Sequence, residues 1–247
     1  MCTVLLRLTP GARCPVLLGA VRDEFVDRPW DPPAHHWPGA WSHLIGGRDR
    51  AAGGTWLAVD PERREAAALL NAGRRDLPAD GPRPTRGILA LRILVGGTLP
   101  DDLSRYDRFH LLRATLDGGE LWSWDGDSLT HAELTRGDHI IVNAGLDTDT
   151  DPLVPYFAPL LGALPSTPEA WIELLAGDGL DPTDERALVV RKEVEGRDYA
   201  STSASLVALS AGGVRYDFTA TPADPTSWYE VGPEGSEPST GRVRTQF

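Results

Sequence analysis

Two apolar, β-branched runs open the chain, CTVLLRL over residues 2–8 and PVLLGAV over 15–21, separated by a short stretch that holds Pro10 and Gly11. That pattern predicts a β-hairpin. With the turn centred near Ala12, residue 2 faces residue 22, which sets Cys2 beside Arg22 and Asp23 at the open end of the ladder. Further along, GGTWLAVD reads as a strand, and REAAALLNAG as a strand with a helical alternative because Ala and Leu dominate it. RGILALRILVGG carries the spacing of a short helix stopped by Gly96 and Gly97. RFHLLRA, GELWSWDG, SLTHAEL and HIIVNAG follow as antiparallel strands with Gly and Asp turns. Amphipathic helices are expected over 153–164 and 168–176, the second capped by Ser166 and Thr167. SASLVALS and GVRYDFTA form a second hairpin around Ala211, Gly212 and Gly213.

Between these elements, residues 25–41 carry four prolines, three tryptophans and the pair His35-His36, and read as an ordered but irregular surface loop. Residues 74–86 read as a polar, proline-rich loop, and Gly46, Gly47, Gly53 and Gly54 as turn glycines. The chain shows no repeat and no linker, so one domain over 1–247 is expected, with 232–247 as a flexible tail. Strands at both ends with helices between them suit an α+β class, in particular a layered αββα architecture.

Composition changes this picture little and narrows the function. Hydrophobic residues make up 41% and charged residues 24% of 247 positions, and no apolar run approaches the roughly 18–20 residues that span a bilayer, so no membrane insertion is expected. The first residues lack a basic stretch followed by an apolar core, which predicts a cytoplasmic protein with Cys2 and Cys14 as free thiols. A net charge of −12 would repel a phosphate backbone, so nucleic acid is not an expected partner. A homo-oligomer remains open.

The candidate chemistry starts at Cys2. Aminopeptidases remove an initiator Met when a small residue follows, which would leave Cys2 with a thiol and a free α-amine of pKa about 7.7–8.0 on one residue. That amine is placed to act as general base for the sulfur. The alternative is an inert apolar cysteine on a buried strand. Across the hairpin, Arg22 would favour thiolate and Asp23 would orient the amine, unless both are a solvated charge cluster. The only two asparagines, Asn71 in LLNAG and Asn143 in IVNAG, both end apolar runs. They are candidate oxyanion donors or, equally, turn residues. The six histidines make no metal pattern. His35, His36 and His43 in a tryptophan-rich neighbourhood, with Trp56 nearby in sequence, are candidates for a flat apolar ligand such as haem, or else solvated loop residues.

The start MC, then VRDEFVDRP, GGRDRAAGGTWLAVD and ALLNAGR, resembles the NRDE family, also called the transport and Golgi organization protein 2 family. The likeness is specific over about residues 1–75, and RYDRFHLL resembles that family's Tyr-x-x-Phe-Asn-Leu segment. Three positions depart from the family pattern: Val21 and His110 replace asparagines, and the arginine expected near YASTSAS is either replaced by Thr202 or displaced to Arg197. The resemblance implies an N-terminal nucleophile (Ntn) hydrolase-like αββα fold, similar to the cysteine acylases of penicillin V and conjugated bile salts. It implies Cys2 as nucleophile, with Arg22, Asp23, Asn71 and Asn143 around it and no required cofactor. The expected activity is therefore hydrolysis or acyl transfer on a small acylated amide. The alternative from the same family is a non-catalytic carrier of haem or another hydrophobic ligand, using Trp56, His35 and His36.

Overall fold

A computed structural model describes residues 2–75 and 83–232. The expected tail from 233 onward and the middle of the 74–86 loop lie outside the described residues. The chain runs β1 (Cys2–Leu8), β2 (Val16–Phe25), β3 (Trp30–Ala34), β4 (Ile45–Asp49), β5 (Leu57–Asp60), β6 (Glu65–Asn71), α1 (Gly87–Gly96), β7 (Phe109–Thr115), β8 (Gly118–Trp124), β9 (Leu129–Leu134) and β10 (Gly137–Val142). It continues through β11 (Gly145–Leu146), α2 (Leu153–Ala163), α3 (Pro168–Leu175), β12 (Arg191–Val194), β13 (Arg197–Ser210), β14 (Gly213–Thr219) and β15 (Tyr229–Glu230). The class is α+β: among the described residues there are three α-helices and two antiparallel sheets. One sheet is ordered β11-β10-β1-β2-β13-β14-β15 with β12 also paired to β13, and the other β3-β4-β5-β6-β7-β8-β9. No helix among the described residues is long and apolar enough to cross a membrane.

Alternation along the strands explains the packing. From β1, Val4, Leu6 and Leu8 join Leu18 of β2 and Leu57, Leu70 and Leu112 of the other sheet in one core between the sheets. Leu5, Leu17 and Val21 point the other way, into a second core with Phe157 of α2 and Trp171 of α3. On the far sheet, Ala67, Leu69 and Phe109 pack against Leu89, Leu91 and Leu94 of α1. Each fully buried Leu or Phe contributes about 1.5–3 kcal/mol.

The helical alternative for 64–73 loses to β6, whose Ala66, Ala68 and Leu70 face one core while Ala67 and Leu69 face another. Three other expectations are corrected. Within the 25–41 loop, Trp30–Ala34 is a strand, tolerated despite Pro32 and Pro33 because β3 lies at a sheet edge and its pairing is interrupted between Asp31 and Ala34. Gly46 and Gly47 are not turn glycines; they lie in β4, where a Cβ on Gly47 would run into the Trp56 indole. Thr167 is the N-cap of α3 but its side chain makes no capping bond; Pro168 at the first helical position removes one amide that would need it.

Arg7 ties β1 to α2. Its guanidinium pairs with Asp138 at 2.6 Å and donates to Leu161 O and Leu164 O, each at 2.5 Å, so it satisfies the open carbonyls at the helix C-terminus. Arg7 is only 8% exposed, and Arg7→Ala would strand a carboxylate and those carbonyls. A loss of about 3 kcal/mol in urea unfolding is expected.

Candidate functional site

The hairpin register sets Cys2 opposite Arg22, in the middle of the larger sheet. β10 flanks β1 on the other side, and the residue that follows it, Asn143, accepts a 3.0 Å hydrogen bond from Cys2 N at its Oδ1. The Asn143 amide also donates to the backbone carbonyl of Asn71, which ends β6 in the opposing sheet. One carboxamide thus fastens the start of β1 to both sheets. His110 on β7 completes the support: its Nε2 lies 3.3 Å from Asn143 O and its Nδ1 2.8 Å from Ser123 Oγ. Burial pushes the His110 imidazole below its ordinary value, so it is neutral at neutral pH.

On the β2 side, Arg22 is buried at 4% exposure. Its Nη1 donates to Thr202 Oγ1 at 2.8 Å and its guanidinium lies 4.5 Å from the Trp56 ring centre. Thr202 sits at a bulge, since Ser201 pairs with Asp23 and Ser203 with Arg22, leaving one extra residue in β13. The neighbouring Ser201 Oγ donates to Asp23 Oδ1 at 2.6 Å, and Tyr199 donates to Asp23 O at 2.9 Å. Burial drives the Asp23 carboxyl up to about 6, against the opposing pull of the amino terminus, the Ser201 hydrogen bond, Lys192 and Arg22. Burial likewise pushes the Cys2 thiol up. At neutral pH the sulfur is therefore protonated and needs a base before it can attack.

Of these groups, Cys2, Arg22, Asp23, Asn143 and Tyr199 line an open cleft of about 1280 Å³, together with Trp56, Leu69, Asn71 and a set of arginines. Among the described residues the Asn71 side chain makes no hydrogen bond, and it faces this space. Of the positions singled out in sequence, the cleft brings together Cys2, Arg22, Asp23, Asn71, Asn143 and Trp56. It does not include His35, His36 or His43. His36 is bonded to Pro32 O, His35 to Leu44 O, and His43 to Asp60. Ser201 and Tyr199, both bonded to Asp23, are additions. No single-residue signal marks them, because their contacts depend on β13 docking beside β2.

A family model described as Transport and Golgi organisation 2 matches residues 1–155, and no curated protein matches the chain.

Proposed function

Because the chain belongs to the Transport and Golgi organisation 2 family, and because Cys2 meets Arg22, Asp23 and Asn143 at one end of an open cleft, we propose that it is a cysteine N-terminal nucleophile amidohydrolase or acyltransferase working after loss of Met1. In this reading the paired sheets with helices on their outer faces are the αββα sandwich of that hydrolase class. The observation that carries the proposal is the Cys2 N to Asn143 Oδ1 hydrogen bond, which would hold the α-amine once Met1 is gone.

The chemistry follows from the residues in place. The Cys2 amine takes the thiol proton as Sγ bonds to the amide carbon, and the carbonyl electrons move onto oxygen. Asn71, whose side chain is uncommitted, and Arg22 are placed to meet that charge. The amine then gives its proton to the leaving nitrogen as the C–N bond breaks, which leaves a thioester. Water or an acceptor amine attacks the thioester carbon and Sγ departs with a proton. Asn143 and Asp23 are positioning residues for the amine and thiol.

The test is an intact mass of the untagged protein with its natural start, before and after brief iodoacetamide treatment at pH 8. Loss of Met1 and one fast adduct mapped to Cys2 are expected. Cys14 is the internal comparison: its thiol is pushed up by burial and donates to Val16 O at 3.3 Å. Retained Met1, or a faster adduct on Cys14, would refute the reading.

A further inference from the structure

The cleft runs against the charge of the molecule. The chain carries 24 basic and 36 acidic residues, yet among the described residues the cleft is lined by seven arginines against five carboxylates. Arg22, Arg28, Arg83 and Arg197 are matched by Glu24, Asp49, Asp107 and Asp27. Arg74, Arg75 and Arg86 have no carboxylate within 4.0 Å among the described residues. Arg75 is turned away, donating to Ser104 O and lying over Trp124. Arg86 and Arg74 remain.

Arg86 is half-buried and uses a single nitrogen, Nη1, which donates to Arg108 O at 2.7 Å and Gly73 O at 3.4 Å. Its Nε and Nη2 are uncommitted among the described residues. Burial pushes it below its ordinary value, with opposing pulls that include Asp107 and Cys2. It also caps α1, whose first turn holds no acidic side chain and no side-chain cap. Close packing fixes this wall, since a Cβ on Gly54 would lie 2.6 Å from Gly87 C. A guanidinium with free donors beside a second arginine, held on a rigid wall of the cleft, makes a site for an anion. Trp56 and Leu69 offer apolar surface in the same cleft.

We infer that Arg86 and Arg74 form an anion subsite, so that the amide accepted by this cleft carries an acidic group, a carboxylate or a phosphate, away from the bond presented to Cys2. The inference rests on the amidohydrolase reading for its scissile bond, while the subsite stands on the arginines alone.

Binding is measured by calorimetry on Cys2→Ala with three probes that share one acyl chain: N-decanoyl-glycine, N-decanoyl-aminoethyl phosphate and the neutral N-decanoyl-glycinamide. One of the two anionic probes is expected to bind at least about 10-fold tighter than the neutral one. Which of them does so identifies the acidic group. Arg86→Gln is expected to reduce the preference to less than about 3-fold, and Arg74→Gln to weaken it without abolishing it. Equal binding of charged and neutral probes, no binding of any, or a preference that survives both substitutions would overturn the subsite. Turnover of the same probes by the wild type lacking Met1 is scored separately. Charge-dependent binding without amine release would leave the subsite intact and reject the nucleophile.

Discussion

Cys2→Ser is expected to fold with wild-type stability to within about 1 kcal/mol and to lose at least about 10³-fold in turnover of the preferred probe. The substitution is close to isosteric at the first residue of β1, where Cys2 is only partly buried. Serine is also small enough for Met1 to be removed, so the α-amine and its Asn143 contact survive. What changes is the atom that attacks. A thiol is a stronger acid and a better nucleophile than a hydroxyl, so the α-amine that can take the proton of Cys2 activates a serine far less readily. Intact mass, urea unfolding and amine release on the same preparation separate the cases. Turnover within tenfold of wild type, on a variant whose mass shows that Met1 has been removed, would mean that the sulfur does no chemistry.

The position of Cys2 was readable in the sequence for a geometric reason. In an antiparallel hairpin the sum of paired positions is constant, so one turn placed near Ala12 settles every partner, and Cys2 does pair with Arg22. The second hairpin is legible in the same way around Gly213, where Ser210 pairs with it. Contacts between distant strands carry no such rule. The Cys2–Asn143 bond spans 141 positions and depends on β10 docking beside β1. Asn143 and Asn71 could be nominated by residue type and strand-end position. Their division into one amide bonded to the Cys2 nitrogen and one left open appears only once both sheets are placed. The Thr202 bulge is harder still, because a chain reading Ser-Thr-Ser gives no periodicity break before β13 pairs with β2. β3 was hidden for the opposite reason: its two prolines argue against a strand, and only its edge position admits them. The arginine wall needed the third dimension, since Arg22, Arg74 and Arg86 come from three separate segments.

The buried carboxylate gives the other large effect, in which stability and activity move apart. Asp23 is 7% exposed, and its carboxyl is pushed up to about 6 from 3.8, chiefly by burial. Because its folded value is the higher one, the stability tied to its proton is fully present below about pH 4 and is lost as the pH rises through 6. The gap corresponds to about 3 kcal/mol. Asp23→Asn removes that penalty while keeping an oxygen to accept from Ser201, which donates at 2.6 Å in the wild type. The variant is expected to be more stable than wild type by about 1–2 kcal/mol at pH 8, with the advantage gone at pH 4, on the other side of the isoelectric point near 4.9. Turnover should fall by about 10²-fold or more, because a neutral amide cannot draw the Cys2 ammonium and thiol into position as a carboxylate does. The pH comparison isolates the carboxylate, since every other titrating group is common to both chains. A variant no more stable than wild type at both pH values would show that Asp23 is solvated or fully neutralised by its neighbours. One that gained stability and kept its turnover would remove Asp23 from the mechanism while leaving its burial unexplained by catalysis.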